Sequence, residues 1–190
     1  MTDITAATGT PQVEPAFTSE RFEMRPWRHD DLALLHPILG DPRVVFWDEK
    51  AGSIEHSADV LKRITRGSDQ NRDGLGWFAV VERASGETVG NVVLRTPPFE
   101  SDGLEVGWHV RYDRWGEGVA TEAALAVADY AVRRFDTDLL VAIVLPGNTP
   151  SRRVAEKLGM TVAGEIEYAG EAHVLYLRWL RAADDAATTG

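Results

Sequence analysis

The chain has 190 residues, no cysteine, and a formal net charge of −10 from 30 acidic and 20 basic side chains. This length is enough for one domain with a substantial core. Without cysteine there is no disulfide, no thiolate metal site and no cysteine nucleophile, a composition typical of the cytoplasm. The acidic surplus argues against nucleic-acid binding, and no segment approaches the ~20 apolar residues of a membrane span.

The two ends of the chain differ in composition from the rest. Residues 1–16 are rich in Thr, Ala, Pro and Gly, show no hydrophobic periodicity and lack the basic and apolar regions of a secretory signal. We expect a flexible tail there and another over residues 182–190. No linker or repeat interrupts residues 17–181, which are predicted to form a single domain.

Hydrophobic spacing predicts the elements of the first half of that domain. Alternation of apolar and polar residues predicts strands, and a spacing of three to four residues predicts helices. In chain order they are a strand at 20–27, helices at 29–41 and 53–67, and strands at 77–82, 88–97 and 104–110. The second and third strands are joined by a hairpin around Ser85 and Gly86.

The second half alternates helices and strands. A helix follows Gly118, a fully apolar strand covers 139–145, and a helix capped by Asn148 ends at Gly159. Two strands, 161–169 and 173–180, complete the pattern. The order β-α-α-β-β-β-α-β-α-β-β predicts an α/β or α+β fold with a mixed sheet and helices on its faces.

The segment RWGEGVATEA places Gly116 and Gly118 between a strand and a long helix. A helix start offers unpaired N–H groups and partial positive charge, and glycine lets an anion approach the backbone. Arg111 and Arg114 stand just before this turn. The spacing therefore predicts a phosphate or pyrophosphate site, although a simple turn explains the glycines equally. The Rossmann and P-loop patterns are not met.

Four blocks of sequence together resemble the GNAT acyltransferases. WGEGVATEA after LEVGWHV resembles their acyl-CoA loop, with Trp115 in the position usually held by a polar residue. The tryptophan and the following Ala-Thr-Glu-Ala resemble the ribosomal-protein (RimJ/RimL-like) N-acetyltransferase branch. SERFEMRPWRHDDLALL, EVGWHV and NTPSRRVAEKLGM resemble other segments of that branch in the same order. The resemblance runs from about Ser19 to Trp179.

This resemblance implies a fold and a donor substrate. The implied GNAT fold is a central mixed, mostly antiparallel sheet of six to seven strands flanked by about four helices and splayed between strands 4 and 5. Acetyl-CoA or another acyl-CoA would lie in that opening, with its pantetheine arm along strand 4. The residues implied to bind it are His109, Val110, Arg111, Arg114, Trp115, Gly116, Glu117, Gly118, Val119, Ala120, Thr121, Asn148, Ser151 and Arg152.

The implied reaction transfers the acyl group directly to a primary amine, either a protein N-terminus or a small molecule. Glu105, on strand 4, is the first candidate for the general base, with a solvated or paired structural glutamate as the alternative. Many relatives use a tyrosine as general acid, but Ala155 occupies that position. Ser151 is similar to a serine that protonates or binds the thiolate, and Asn148 to an asparagine near the sulphur. The N–H of Val110 is the candidate oxyanion donor.

The acceptor side is less specific. Trp47, Trp77, Trp108 and His173 are candidates for an acceptor pocket, and core packing is the alternative for each. Acidic residues would favour a cationic acceptor if they border the cleft, namely Asp48, Glu49, Glu165 and Glu167.

Several alternatives remain open at this stage. A donor with a larger acyl group, such as succinyl-CoA, is one open alternative. A non-catalytic acyl-CoA sensor and a nucleotide-binding domain with another phosphate ligand are the competing classes. No metal is predicted. Dimers are common in the branch, so a homodimer is one open alternative, and the sequence alone does not establish the oligomeric state.

Overall fold

The computed structural model describes residues 16–70, 74–135 and 137–180. Their elements follow the predicted order, with one short strand added at the start. The strands are β1 (Phe17–Thr18), β2 (Phe22–Pro26), β3 (Gly76–Glu82), β4 (Thr88–Arg95), β5 (Leu104–Val110), β6 (Leu139–Val144), β7 (Thr161–Tyr168) and β8 (Glu171–Trp179). The helices are α1 (Leu32–Leu39), α2 (Ile54–Gln70), α3 (Val119–Arg134) and α4 (Thr149–Lys157).

The strands form one sheet in the order β1-β2-β3-β4-β5-β6-β8-β7. All neighbours are antiparallel except β5 and β6, which run parallel. The predicted mixed, mostly antiparallel sheet with four helices is therefore confirmed. The sheet has eight strands, whereas six to seven were expected. The additional strand is β1, whose two residues are too few for a hydrophobic pattern to be detected in the sequence.

Two apolar clusters cover the two faces of the sheet. Val92 and Val106 point to the face covered by α3, whose buried stripe includes Val127. On the opposite face Ala79 and Leu35 join residues of α1 and α2. Because successive residues of a strand point to opposite faces, β4 and β5 contribute one row of side chains to each side.

The predicted tails at 1–16 and 182–190 lie outside the described residues, except for Ala16, whose N–H donates to the carbonyl of Met24 at 2.8 Å. Within 16–70, 74–135 and 137–180, no helix is both long and apolar enough to cross a membrane.

The sheet opens between its two parallel strands. β5 and β6 are paired only at Leu104 with Leu140 and at Glu105 with Val141. From Val106 onward the two strands run without pairing, while each remains bonded to its outer neighbour. This confirms the predicted splay between the fourth and fifth predicted strands, which are β5 and β6 in the structure. The opening leaves backbone groups free inside the sheet.

Candidate active site

Two cavities meet at the opening between β5 and β6. The loop cavity, of about 370 Å³, is lined by the glycine loop and α4. The strand cavity, of about 330 Å³, extends along β6 to the turn between β7 and β8. Five residues line both cavities: Trp47, Trp108, His109, Asn148 and Ser151. Both volumes suit small-molecule sites, and the shared residues make the two cavities halves of one cleft.

The glycine loop forms the floor of the loop cavity. Gly116 and Gly118 have φ values of 84° and 79°, in the left-handed region that favours glycine. Gly118 is the residue before the first turn of α3, and both glycines line the loop cavity. Of the predicted loop residues, Arg114, Trp115, Val119, Ala120 and Thr121 line the cavity as well. A helix N-terminus and a turn of this conformation are both suited to an anion.

A hydrogen-bond network holds this loop from behind. Arg21 donates to the carboxylate of Glu122 at 2.7 Å and to the carbonyl of Glu117 at 3.1 Å. The hydroxyl of Ser19 donates to the same carboxylate at 2.8 Å. Burial raises the pKa of Glu122, but the hydrogen bonds from Arg21 and Ser19 outweigh it and bring the pKa below its ordinary value. Glu122 therefore stays charged and joins the N-terminal segment to α3.

The two arginines beside the loop are already paired with carboxylates. Arg114 donates to Glu82 at 2.7 Å and to Glu117 at 2.8 Å, and these bonds raise the pKa of its guanidinium. Arg111 donates to Asp113 at 2.7 Å and lines neither cavity, and Glu117 lines neither. The positive field of the loop therefore comes mainly from backbone N–H groups and the helix end.

The edge of β5 presents the backbone of Val110 to the opening. The N–H of Arg111 donates to the carbonyl of Val89 on β4 at 2.9 Å. Since adjacent residues direct their backbone groups to opposite edges of a strand, the N–H and carbonyl of Val110 point away from β4. The carbonyl accepts a hydrogen bond from the indole of Trp115 at 2.8 Å. The N–H of Val110 is thus directed toward the cleft.

Helix α4 closes the cleft from the other side. The side chain of Asn148 accepts the N–H of Ser151 at 3.2 Å, which confirms the predicted cap and fixes both residues at the junction of the cavities. Arg152 instead donates to the hydroxyl of Tyr176 at 3.0 Å and lines neither cavity, because its position on the helix faces β8. The basic residues of α4 that line the loop cavity are Arg153 and Lys157.

His109 lies on β5 between the indoles of Trp47 and Trp77 and lines both cavities. Its ring stacks on that of Trp77, with the ring centroids 5.9 Å apart. The ring of Trp47 lies at the same centroid distance, with its plane inclined by 45° to the imidazole. Asn91 contacts its Nδ1 at 3.1 Å. Burial, with the charge of Arg95 as a second cause, lowers the pKa of His109 to about 4. The ring is therefore neutral at pH 7.

Glu105 is not in the position expected of a general base. It is 6% exposed, lines neither cavity, and accepts two hydrogen bonds from Arg95 at 2.8 and 3.0 Å. Burial disfavours the charge on Arg95, but its bonds to Glu105 outweigh this and raise the pKa of the guanidinium. The structure therefore corrects the expectation for Glu105, whose lone pairs are engaged by Arg95 at the closed end of the strand pair.

The strand cavity brings together most of the predicted acceptor residues. Trp47, Trp108 and His173 line it, whereas Trp77 lies behind His109 and lines neither cavity. The four acidic residues proposed for its border do not line it, and the carboxylate that does is Glu171. Tyr168 is a further lining residue, and its ring packs edge-on against His173 with centroids 5.8 Å apart.

Sequence patterns alone did not single out Tyr168, Glu171 or Arg21. Tyr168 and Glu171 are cross-strand partners on either side of the turn between β7 and β8. The sequence signal that could have identified them is a tight hairpin directly after an aromatic residue. The role of Arg21 depends on a contact with a loop 96 positions away in the sequence.

No group of His, Asp and Glu side chains suited to hold a metal ion occurs among the residues that the structure describes.

Comparisons with known proteins agree with this geometry. Residues 21–161 match the acetyltransferase (GNAT) domain family. The uncharacterized protein YkkB of Bacillus subtilis (strain 168) is 32% identical over 151 residues, covering 75% of this chain and 83% of that protein. A GNAT-family acetyltransferase from Bacillus anthracis superposes with a TM-score of 0.72 at 24% identity, over 86% of this chain and 98% of its own. RimL, a ribosomal L7/L12 α-N-protein acetyltransferase solved with coenzyme A, superposes with a TM-score of 0.69 at 18% identity. The superposition covers 88% of this chain and 98% of RimL.

Proposed function

Because this chain belongs to the GNAT acetyltransferase family, we propose that it transfers an acetyl group from acetyl-CoA directly to a primary amine within a ternary complex. The family establishes an acyl-CoA-dependent N-acetyltransferase. The observation that carries the finer proposal is the single cleft, which joins a glycine-loop cavity to an aromatic cavity through five shared residues. Two substrates bound in the two halves would meet at Ser151 and His109.

The donor is assigned to the loop cavity. The N–H groups of the loop from Trp115 to Ala120 would bind the pyrophosphate, with Gly116 and Gly118 allowing its close approach. Arg153 and Lys157, which line the loop cavity, would supply positive charge for the ribose phosphate. The pantetheine arm would then follow β5 from Val106 toward Val110, along the edge that β6 leaves unpaired.

The chemistry is assigned to two groups of the cleft, the N–H of Val110 and the hydroxyl of Ser151. The N–H of Val110 would stabilise the oxyanion of the tetrahedral intermediate. Ser151, held by Asn148 in the first turn of α4, would protonate the departing thiolate. Ala155 stands at the position of the tyrosine acid of many relatives. Its methyl group is fully buried and lines neither cavity, so this position provides no acid here.

The acceptor is assigned to the strand cavity. We propose a protein N-terminus or a small-molecule amine, and the fold similarity to RimL supports the RimJ/RimL-like branch with its protein acceptors. An α-amine near pKa 7.8 is about 10–20% neutral at pH 7, whereas a lysine amine near 10.4 is below ~0.1% neutral. The α-amine therefore needs less help from the protein to become a nucleophile.

Initial-rate kinetics test this function. Acetyl-CoA is offered with peptides bearing free N-termini, amino acids, polyamines and aminoglycosides, and thiol release is followed as both substrates are varied. We expect intersecting double-reciprocal lines for at least one amine class, with acetyl-CoA preferred to succinyl-CoA. Binding of acetyl-CoA without turnover on any amine would indicate a sensor instead, and stabilisation by ATP or NAD but not by CoA would contradict the donor assignment.

Ser151→Ala tests the proposed acid. We expect kcat to fall by about 100-fold while the Kd for acetyl-CoA stays within about threefold of wild type. Thr149→Ala, in the same first turn and outside both cavities, is the matched control. Wild-type kcat in Ser151→Ala across the pH range would remove this residue from the mechanism.

A further inference from the structure

Two histidines line the strand cavity, and their ring hydrogen bonds fix them in opposite tautomers. His173 lies on β8, and its Nδ1 is 3.0 Å from the backbone carbonyl of Glu171. Because a carbonyl oxygen only accepts, Nδ1 carries the hydrogen of the neutral ring. Its Nε2 makes no hydrogen bond to any residue that the structure describes. His173 therefore presents a free lone pair at Nε2.

His109 is held the other way by a chain of two buried side chains. The indole of Trp27, which can only donate, bonds to Oδ1 of Asn91 at 2.8 Å. This fixes the orientation of the amide, so Nδ2 of Asn91 donates to Nδ1 of His109 at 3.1 Å. The hydrogen of the neutral imidazole must then be on Nε2. With Trp27 3% exposed and Asn91 fully buried, His109 is a fixed hydrogen-bond donor and has no lone pair to offer as a base.

The other groups around the strand cavity are weaker proton acceptors for an amine. Glu105 is occupied by Arg95 and lies outside the cavity. Glu171 is exposed at the rim, where its carboxylate is placed to attract an ammonium. The neighbours of His173 on β7 are Tyr168, whose ring packs against the imidazole in a T-shaped arrangement, and Ile166, its cross-strand partner. Neither side chain is a carboxylate or an imidazole. Among the residues that the structure describes, Nε2 of His173 is therefore the lone pair in this cavity that is left for an amine proton.

We propose that His173 accepts the proton of the acceptor amine, while His109 donates a hydrogen bond to the acceptor molecule. The inference rests on the proposed acetyl transfer and assigns its base. The ammonium of the acceptor gives one proton to Nε2 of His173, the neutral nitrogen then bonds to the thioester carbonyl carbon, and the C–S bond breaks. The carbonyl of Glu171 then accepts from the imidazolium, which stabilises it. The nitrogen loses its second proton to Ser151 as the hydroxyl of Ser151 gives its own proton to the thiolate, so the serine is regenerated, and His173 returns its proton to solvent.

Acceptors of graded amine basicity test this role. With His173→Gln, we expect kcat/KM to fall by about 100-fold or more for a strongly basic alkylamine, and by less than about tenfold for a weakly basic amino-acid amide. The Kd for acetyl-CoA should not change. His109→Gln, whose amide can still donate, is the matched control and should lower both rates by the same factor. Equal losses for both acceptors in His173→Gln would overturn the assignment.

Two further measurements separate a chemical role from a structural one. Exogenous imidazole should restore activity to His173→Ala but not to His109→Ala, and absence of rescue in a folded variant with wild-type Tm would contradict a base at this position. Long-range ¹H–¹⁵N correlation spectra should show His173 protonated at Nδ1 and His109 at Nε2. The same tautomer for both rings would refute the division of roles. If the wild-type protein acetylates no amine, the proposed function fails, whereas the spectra still report on the two rings.

Discussion

The guanidinium of Arg21 donates a hydrogen bond to the backbone carbonyl of Glu117, 3.1 Å away. In a trans peptide the carbonyl and the following N–H point in opposite directions, so this bond directs the N–H of Gly118 away from Arg21. Gly118 lines the loop cavity, whereas Arg21 does not. Arg21 is therefore placed to orient one of the N–H groups that we assign to the pyrophosphate, without touching it.

Arg21→Ala should raise the KM for acetyl-CoA by about threefold and leave kcat nearly unchanged, because a partly exposed bond of this kind contributes little more than 0.5 kcal/mol. Steady-state kinetics with acetyl-CoA as the varied substrate measure the effect. Arg83→Ala removes an exposed arginine that pairs weakly with Glu23 and should leave KM unchanged. A fall in kcat at constant KM would contradict a positioning role.

Gly118→Val should weaken CoA binding by about tenfold or more. A β-branched residue is strained at a φ of 79°, and relief of that strain would move the N–H groups of the loop. Titration calorimetry with CoA measures the Kd. Gly159→Val introduces similar strain at a φ of 72° outside both cavities, so it should lower stability without weakening CoA binding. Equal affinity in Gly118→Val and wild type would disprove the loop assignment.

Glu105→Gln should destabilise the protein by about 2 kcal/mol. The substitution leaves Arg95 without its counter-charge, and the usual cost of breaking a buried pair is reduced here because the arginine side chain is 33% exposed. Urea unfolding measures the change. The double variant Arg95→Met/Glu105→Leu should recover most of the lost stability. A Glu105→Gln protein of wild-type stability with strongly reduced kcat would instead restore Glu105 as a candidate base.

Stability should decrease as the pH falls from about 6.5 toward 4, with His109 as one identifiable cause. Its pKa of about 4 lies below the ordinary ~6.5 of an unfolded histidine, so in this window the unfolded chain binds a proton that the folded protein does not. Between pH 7 and pH 5 this favours unfolding by about 2 kcal/mol. Urea unfolding at both pH values should show wild type losing that much more than His109→Gln. Equal losses would mean that the pKa of His109 is not lowered in the folded protein.

The fold was largely predictable from the sequence because its signals are local. The alternation in β5, the cap at Asn148 and the glycines around the loop each identify an element within a few residues. The two-residue β1 was missed because so short a strand has no measurable period. The splay of β5 from β6 came from the family resemblance, since strand pairing is not encoded within either strand.

The positions of the glycine loop and of the start of α4 were predictable from the sequence, whereas the arrangement of the strand cavity was less so. The loop, Asn148 and Ser151 are close in sequence to the elements that place them. Glu105 shares a strand with His109, and only the cross-strand partner Arg95 shows that its carboxylate is engaged. Likewise, no residue near His109 in sequence reveals its tautomer, which depends on Trp27 and Asn91. Contacts between distant segments decide these chemical states.

The central claim is direct transfer between two substrates held in one cleft. Isotopically labelled acetyl-CoA can be mixed with the protein, with and without an amine acceptor found in the kinetic screen, and both protein and products weighed by mass spectrometry. We predict labelled acetyl on the amine in an amount equal to the free CoA released, and an unchanged protein mass when the acceptor is omitted. Stoichiometric labelling of the protein without acceptor, or release of CoA with no acetylated amine, would contradict this account.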